Sequence, residues 1–223
     1  LLNASQRRVD AVILIGLQFD DEVLETAAHA RKFRELIIFA RTSERPNTIS
    51  IAVDDVKAMT EMAQYIHARG YKRPLFVAGP QNYSAHLLRK ETFFSYWLSN
   101  MGSEPGLVTV STYDPALAGK VVAETLEKGT KDELPDVLVC ENDALAMGAA
   151  DAVRYSLGLS VPGDIAITGF DDVPQADNPN YSLTTYRQPL SEMADYLIEV
   201  LGHPDRQDRD RLFLGELMIR ESA

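Results

Sequence analysis

A single cysteine, Cys140, stands in the 223 residues, so no internal disulfide can form and no Cys-x-x-Cys pair exists to hold a metal. Cys140 falls in a short apolar run and is expected to be buried, which points to a reducing, cytoplasmic compartment. Histidine is sparse too: His29, His67, His86 and His203 show no metal-ligand spacing. No apolar run approaches the roughly 18 residues that a membrane helix needs, and no secretory signal is visible. Positive charge is in deficit, with 22 Lys+Arg against 33 Asp+Glu and a net charge of −11. Arg7-Arg8 and Arg31-Lys32 are short pairs that read as solvated faces, so this sequence alone is not expected to bind nucleic acid. Also missing are a Gly-x-Ser-x-Gly elbow, a phosphate-cradling Gly-x-x-x-x-Gly-Lys-Ser/Thr and a Gly-x-Gly-x-x-Gly turn. No catalytic residue, cofactor or metal is expected.

What remains is an ordinary globular composition, 45% hydrophobic and 25% charged, long enough to bury a substantial core. Strand-like runs alternate with amphipathic helical runs, the pattern of a parallel sheet covered by helices on both faces. Strands are expected near Val9 to Ile15, Leu36 to Ala40, Pro74 to Ala78, Leu107 to Ser111, Asp136 to Cys140 and Asp164 to Thr168. Helices are expected from Val56 to Ala68, closed by Gly70, and from about Ala85 to Asn100, closed by Gly102. The segment His203 to Arg211, dense in alternating charge, reads as an exposed loop.

Two polar clusters each follow directly on one of these apolar runs: Glu141-Asn142-Asp143 and Gly169-Phe170-Asp171-Asp172. In an open parallel sheet, ligands bind at the carboxyl ends of the strands, so both clusters point to one crevice. That makes the chain a binding protein before anything else.

The stretch "VCENDALAMGAADAVRYSLGLSVPGDIAITGFDDVPQADNPNYSLTTYRQP" resembles the effector-binding core of the lactose-repressor/galactose-repressor family of bacterial transcription regulators. The resemblance extends through "RRVDAVILIG", "SIAVDDVKAM", "ARGYKRPLFVAGP" and the closing "ELMIRES", in the family's order and spacing. It implies two doubly wound α/β lobes of periplasmic-binding-protein-like fold, a small-molecule effector in the cleft between them, and a homodimer. The lobes should be residues 1–70 with 188–205, and 71–187 with 206–223. No Gly/Ser-rich or Pro-rich linker marks that division, which comes from the resemblance alone. It also implies a helix-turn-helix headpiece, a first strand and a first helix ahead of Leu1, so that operator DNA is read only by a segment outside this sequence.

Five residues are candidates for the effector. Asp171, after Gly-Phe, corresponds to the family's ligand-holding Asp, and an ionised carboxylate accepts two hydroxyl hydrogen bonds well; equally, Asp171 or Asp172 suits a turn cap. Asn142 corresponds to a family ligand residue, and Asn is also a preferred helix N-cap. Arg89 aligns with the effector-binding Arg, its rigid fork suited to two oxygens, although one extra residue after Ser84 and Thr92 in place of the usual Gly depart from the pattern. Tyr113 stands where the family often presents a ring-stacking aromatic, and a core aromatic is the alternative. Gln188 stands at the lobe crossover.

Ala40 stands where many relatives have an Asp, which hints at an altered ligand. A sugar is the expected effector, with nucleosides and purines next. The rival reading is a periplasmic sugar-binding protein of a transporter; the ending "LTTYRQPLSEMADYLIEVL" resembles the repressors instead.

Overall fold

Residues 9–15, 34–43, 45, 47–81, 87–130, 133–205 and 208–223 are described by a computed structural model. The pairs Arg7-Arg8 and Arg31-Lys32, His29, His86 and the expected start of a helix at Ala85 lie outside them. The described residues form two compact units, Leu1–Asp54 with Pro189–Leu214, and Asp55–Gln188 with Gly215–Ala223.

In the first unit, β1 (Ala11–Ile15), β2 (Glu35–Phe39) and β3 (Ile49–Val53) lie side by side in parallel, and β9 (Arg211–Phe213) adds to β3. Both β2 and β3 are buried at every position, as befits parallel strands covered on both faces. The helix α5 (Leu190–Gly202) turns Met193, Tyr196 and Val200 inward at helical spacing. Tyr196 meets Phe213 edge to face at 5.7 Å. Just before β9, Arg209 pairs with Glu35 at 2.8 Å, and the Asp210 carboxylate accepts the Ser50 N–H.

The second unit has a six-stranded sheet in the order β10-β8-β7-β6-β4-β5. Its parallel strands are β4 (Pro74–Ala78), β5 (Gly106–Thr109), β6 (Val137–Cys140), β7 (Ala166–Asp171) and β8 (Thr184–Arg187), with β10 (Glu216–Met218) antiparallel on β8. The helices are α1 (Asp55–Ala68), α2 (Arg89–Met101), α3 (Pro115–Leu126) and α4 (Asp143–Asp151). Capping fixes two of their starts: Asp114 accepts the Leu117 N–H ahead of α3, with Pro115 in its first turn, and Asn142 accepts the Leu145 N–H ahead of α4. Leu138, Cys140, Leu145, Ala149, Val153 and Ile167 belong to one buried cluster with Val122 of α3.

Two expected boundaries are corrected. The helix α1, placed by resemblance in the first lobe, packs in the second unit against α2, with His67 edge-on to Trp97 at 6.3 Å. The closing segment 206–223, placed whole in the second lobe, holds two strands in two units, because the chain passes from one unit to the other at Leu214-Gly215 and β10 runs antiparallel where β9 runs parallel. Asp208–Leu214 therefore belong to the first unit, not the second. The strands β3 and β8 were not expected at all.

Candidate functional site

At the carboxyl end of the second unit's sheet, polar residues from several elements converge. Arg89 is the first residue of α2 and only 4% exposed. A cation at a helix N-terminus opposes the helix dipole, and burial removes its hydration, so it needs acceptors. It has them: Nε donates to Asp55 Oδ1 at 2.8 Å, one terminal N–H donates to the Glu141 carbonyl at 2.8 Å, and Asp171 Oδ1 lies 3.9 Å away. Its guanidinium lies over the Phe170 ring, 3.5 Å from the centroid. Burial pushes the guanidinium pKa down, but Asp55, Asp171 and Glu141 outweigh it and hold the pKa above the ordinary value.

Asp171 ends β7 with φ 119°, and Asp172 follows at φ 54°. Two successive non-glycine residues with positive φ store backbone strain of about 1–3 kcal/mol each. Their side chains show what holds them. Asp172 is gripped by Arg187 at 2.6 Å and Arg220 at 2.7 Å. Asp171 accepts Gln188 Nε2 at 2.6 Å, and its side chain keeps 29% of its surface exposed. Burial raises the Asp171 pKa, against Arg89 and the Gln188 hydrogen bond, which lower it. Gln188 Oε1 is buried and accepts no hydrogen bond among the described residues.

Glu141, fully buried directly after β6, accepts the Gly79 N–H at 2.6 Å and the Tyr113 hydroxyl at 3.1 Å. A Cβ on Gly79 would come within 2.3 Å of the Tyr113 ring, so glycine is what lets the aromatic lie against this turn. Burial foremost, and then Glu141, raises the Tyr113 pKa and keeps the phenol protonated as a donor.

Asp143 is buried inside the framework, accepting Thr185 Oγ1 at 2.6 Å and the Val173 N–H at 2.9 Å. Gly169 leaves the space for this carboxylate, since a Cβ there would lie 2.3 Å from Asp143 Oδ1. Burial lifts the Asp143 pKa to about 7.

Among the sequence-derived candidates, Arg89, Asp171, Gln188 and Tyr113 are brought to one end of the sheet, Tyr113 through Glu141. Asn142 is next to them, but its side-chain oxygen caps α4 at 3.0 Å from the Leu145 N–H. Asp55 was missed, and Glu141 and Phe170, though part of the two polar clusters, were not among the five candidates. Glu141 had a legible signal, an acidic residue placed directly after a buried strand. Asp55 had only its place at the start of a helix, and its partner Arg89 is 34 positions away. Among the described residues, no group of three or more His, Cys, Asp or Glu is placed to hold a metal, and no helix is long and apolar enough to cross a membrane.

Residues 63–223, most of the chain, match the periplasmic binding protein-like domain family. The chain belongs to this family. Over 98% of its length it is 26% identical to an uncharacterized HTH-type transcriptional regulator of Streptomyces limosus, covering 64% of that protein. Over 97% it is 25% identical to the HTH-type transcriptional repressor CytR of Escherichia coli K12, covering 63% of it. The chain thus spans less than two thirds of these relatives. A LacI family transcriptional regulator from Lactobacillus casei with bound sucrose superposes with a TM-score of 0.80 at 24% identity, over 100% of this chain and 82% of that one. The resemblance to the lactose-repressor/galactose-repressor cores, and the two-lobed α/β fold it implied, are borne out.

Proposed function

We propose that this chain is the effector-binding core of a ligand-responsive transcription repressor, and that its effector is a sugar bound at the carboxyl end of the second unit's sheet. The observation that carries the reading is Arg89: a buried cation held against Asp55, Asp171 and Phe170, beside a strained Asp171 whose carboxylate is still partly exposed. A rigid guanidinium and an open carboxylate together match vicinal hydroxyls, which donate and accept at once. The regulator relatives favour this role over that of a transporter component.

The effector acts by binding one conformation of the core better than another, shifting its population. In the cytoplasm, a homodimer of the complete protein then presents its helix-turn-helix segments to two operator half-sites at a changed separation. Coupling of about 1–3 kcal/mol suffices for such a switch.

A thermal-shift screen of sugars and nucleosides tests the proposal. A ligand at about 100 times its dissociation constant stabilises the fold by roughly 2.7 kcal/mol. At least one sugar should raise the melting temperature, and the shift at the same ligand concentration should shrink in Asp171→Ala. A panel in which no sugar stabilises the protein overturns the assignment of the ligand.

A further inference from the structure

The hydrogen-bonding capacity left over at this site is lopsided. Gln188 follows β8 directly after Arg187, the residue in register with Asp171 on β7. One N–H of its amide donates to Asp171 Oδ1, and its oxygen is left a buried acceptor with no partner among the described residues. A buried acceptor without a donor is costly, so the position calls for a donor from elsewhere. Asp171 beside it is an acceptor as well. Among the described residues the strong donor nearby is Arg89, which gives Nε to Asp55 and one terminal N–H to the Glu141 carbonyl, leaving other terminal N–H groups for a ligand hydroxyl. Around that single guanidinium lie the carboxylates of Asp55, Asp171 and Glu141, and the negative charge of Glu141 bears on both Asp55 and Asp171.

We infer that this site selects its ligand by charge and donor count: it takes an uncharged, hydroxyl-rich ring and rejects the counterpart carrying a phosphate or a carboxylate, with Asp171 and Gln188 setting the rejection. An ionised phosphate or carboxylate oxygen offers only lone pairs, so it meets the Gln188 oxygen and the Asp171 carboxylate acceptor to acceptor. Its charge adds to an excess of negative charge in a partly desolvated place, where Coulombic repulsion is stronger than in water. A hydroxyl suffers neither penalty, since it donates to Gln188 or Asp171 and accepts from Arg89. The inference rests on the sugar-binding reading above and narrows it to neutral polyols.

Calorimetric titration with matched probes separates the two. Glucose, galactose, ribose and fructose would each be compared with a phosphate monoester and, where one exists, the uronic acid; adenosine and cytidine would be compared with their monophosphates. The neutral compound that binds should do so at least about tenfold more tightly than its anionic counterpart. In Asp171→Asn, which removes one charge and supplies a donor, absolute affinity for the neutral compound should fall while the neutral-to-anionic ratio drops by about tenfold. A purely structural role for Asp171 would lower both affinities and leave the ratio where it was, which overturns the role given to that residue. An anionic sugar that binds the unaltered protein as tightly as its neutral parent overturns the charge selection and leaves the sugar site standing. Binding by no sugar or nucleoside of either charge overturns both.

Discussion

The ends of β6 and β7 look alike in sequence, each an apolar strand followed by acidic residues, yet the structure uses them differently. At the β6 end the polar groups serve the framework: Glu141 holds Gly79 and Tyr113, Asn142 caps α4, and Asp143 fastens β8 and the segment after β7. At the β7 end only Asp172 is spent that way, on Arg187 and Arg220. Asp171 and Gln188 retain exposure or an unused acceptor beside Arg89. Adjacent carboxylates thus divide into one that stabilises and one that is available, and the division follows from what each hydrogen bond is already doing. Both strand ends can be challenged by substitution.

The largest loss should come from Arg89→Ala. Removing one partner of a buried ion pair leaves Asp55, 9% exposed at its side chain, without its cation, a loss of about 3–5 kcal/mol. Urea denaturation followed by circular dichroism would measure it. A loss below about 1 kcal/mol would mean that Asp55 is readily rehydrated and that the pair is not part of the framework.

Next in size is Asp143. Asp143→Ala leaves the Thr185 hydroxyl and the Val173 N–H unpaired inside the second unit, costing about 1–3 kcal/mol of stability. The pH dependence has a definite sign. The folded pKa of Asp143, about 7, lies above its ordinary value of 3.8, so the folded state binds a proton more tightly than the unfolded one. That contribution is complete below pH 3.8 and is lost as pH rises through about 7. The unfolding free energy of the parent relative to Asp143→Asn should therefore decline across this window. A flat difference would show that the carboxylate stays ionised throughout.

Asp171→Ala should act on binding instead. Ligand donors left unpaired should cost about 1–3 kcal/mol of affinity, read by calorimetry with the sugar found in the screen. Stability should change less than in Asp143→Ala, because Asp171 is the more exposed carboxylate. Unfolding of the variant would show that the turn, and not the ligand, is what Asp171 serves.

How legible this was depends on where each signal resides. The strands β4, β6 and β7 are apolar runs buried on both faces, and such runs declare themselves locally. By contrast β8 reads Thr-Thr-Tyr-Arg, too polar to suggest a buried strand. Its threonines are satisfied by Ser222, Arg220 and Asp143, more than 30 positions away. The division into units is silent in composition because the chain passes from Val53 of β3 to Asp55 of α1 with only Asp54 between, and no linker is needed. At the site, Asp171, Arg89, Tyr113 and Gln188 were reachable by resemblance. Asp55 and Phe170 were not singled out, since their importance comes from packing against Arg89.

The smallest effect is the most discriminating, because Asn142 stands on the framework side of the comparison while resemblance puts it on the ligand side. Its Oδ1 is occupied by the Leu145 N–H, and an N-cap of this kind contributes about 1 kcal/mol. The amide N–H groups on the same side chain remain able to donate to a ligand oxygen, so the two roles are compatible in principle. Asn142→Asp separates them. An aspartate caps as well as asparagine and suits the positive end of α4, so stability should hold to within about 0.5 kcal/mol. It cannot donate, however, so sugar affinity should fall several-fold if the amide contacts the ligand. Affinity equal to that of the parent, with Asn142→Ala losing about 1 kcal/mol of stability, would assign the residue wholly to the helix and leave β7 as the strand end that meets the effector.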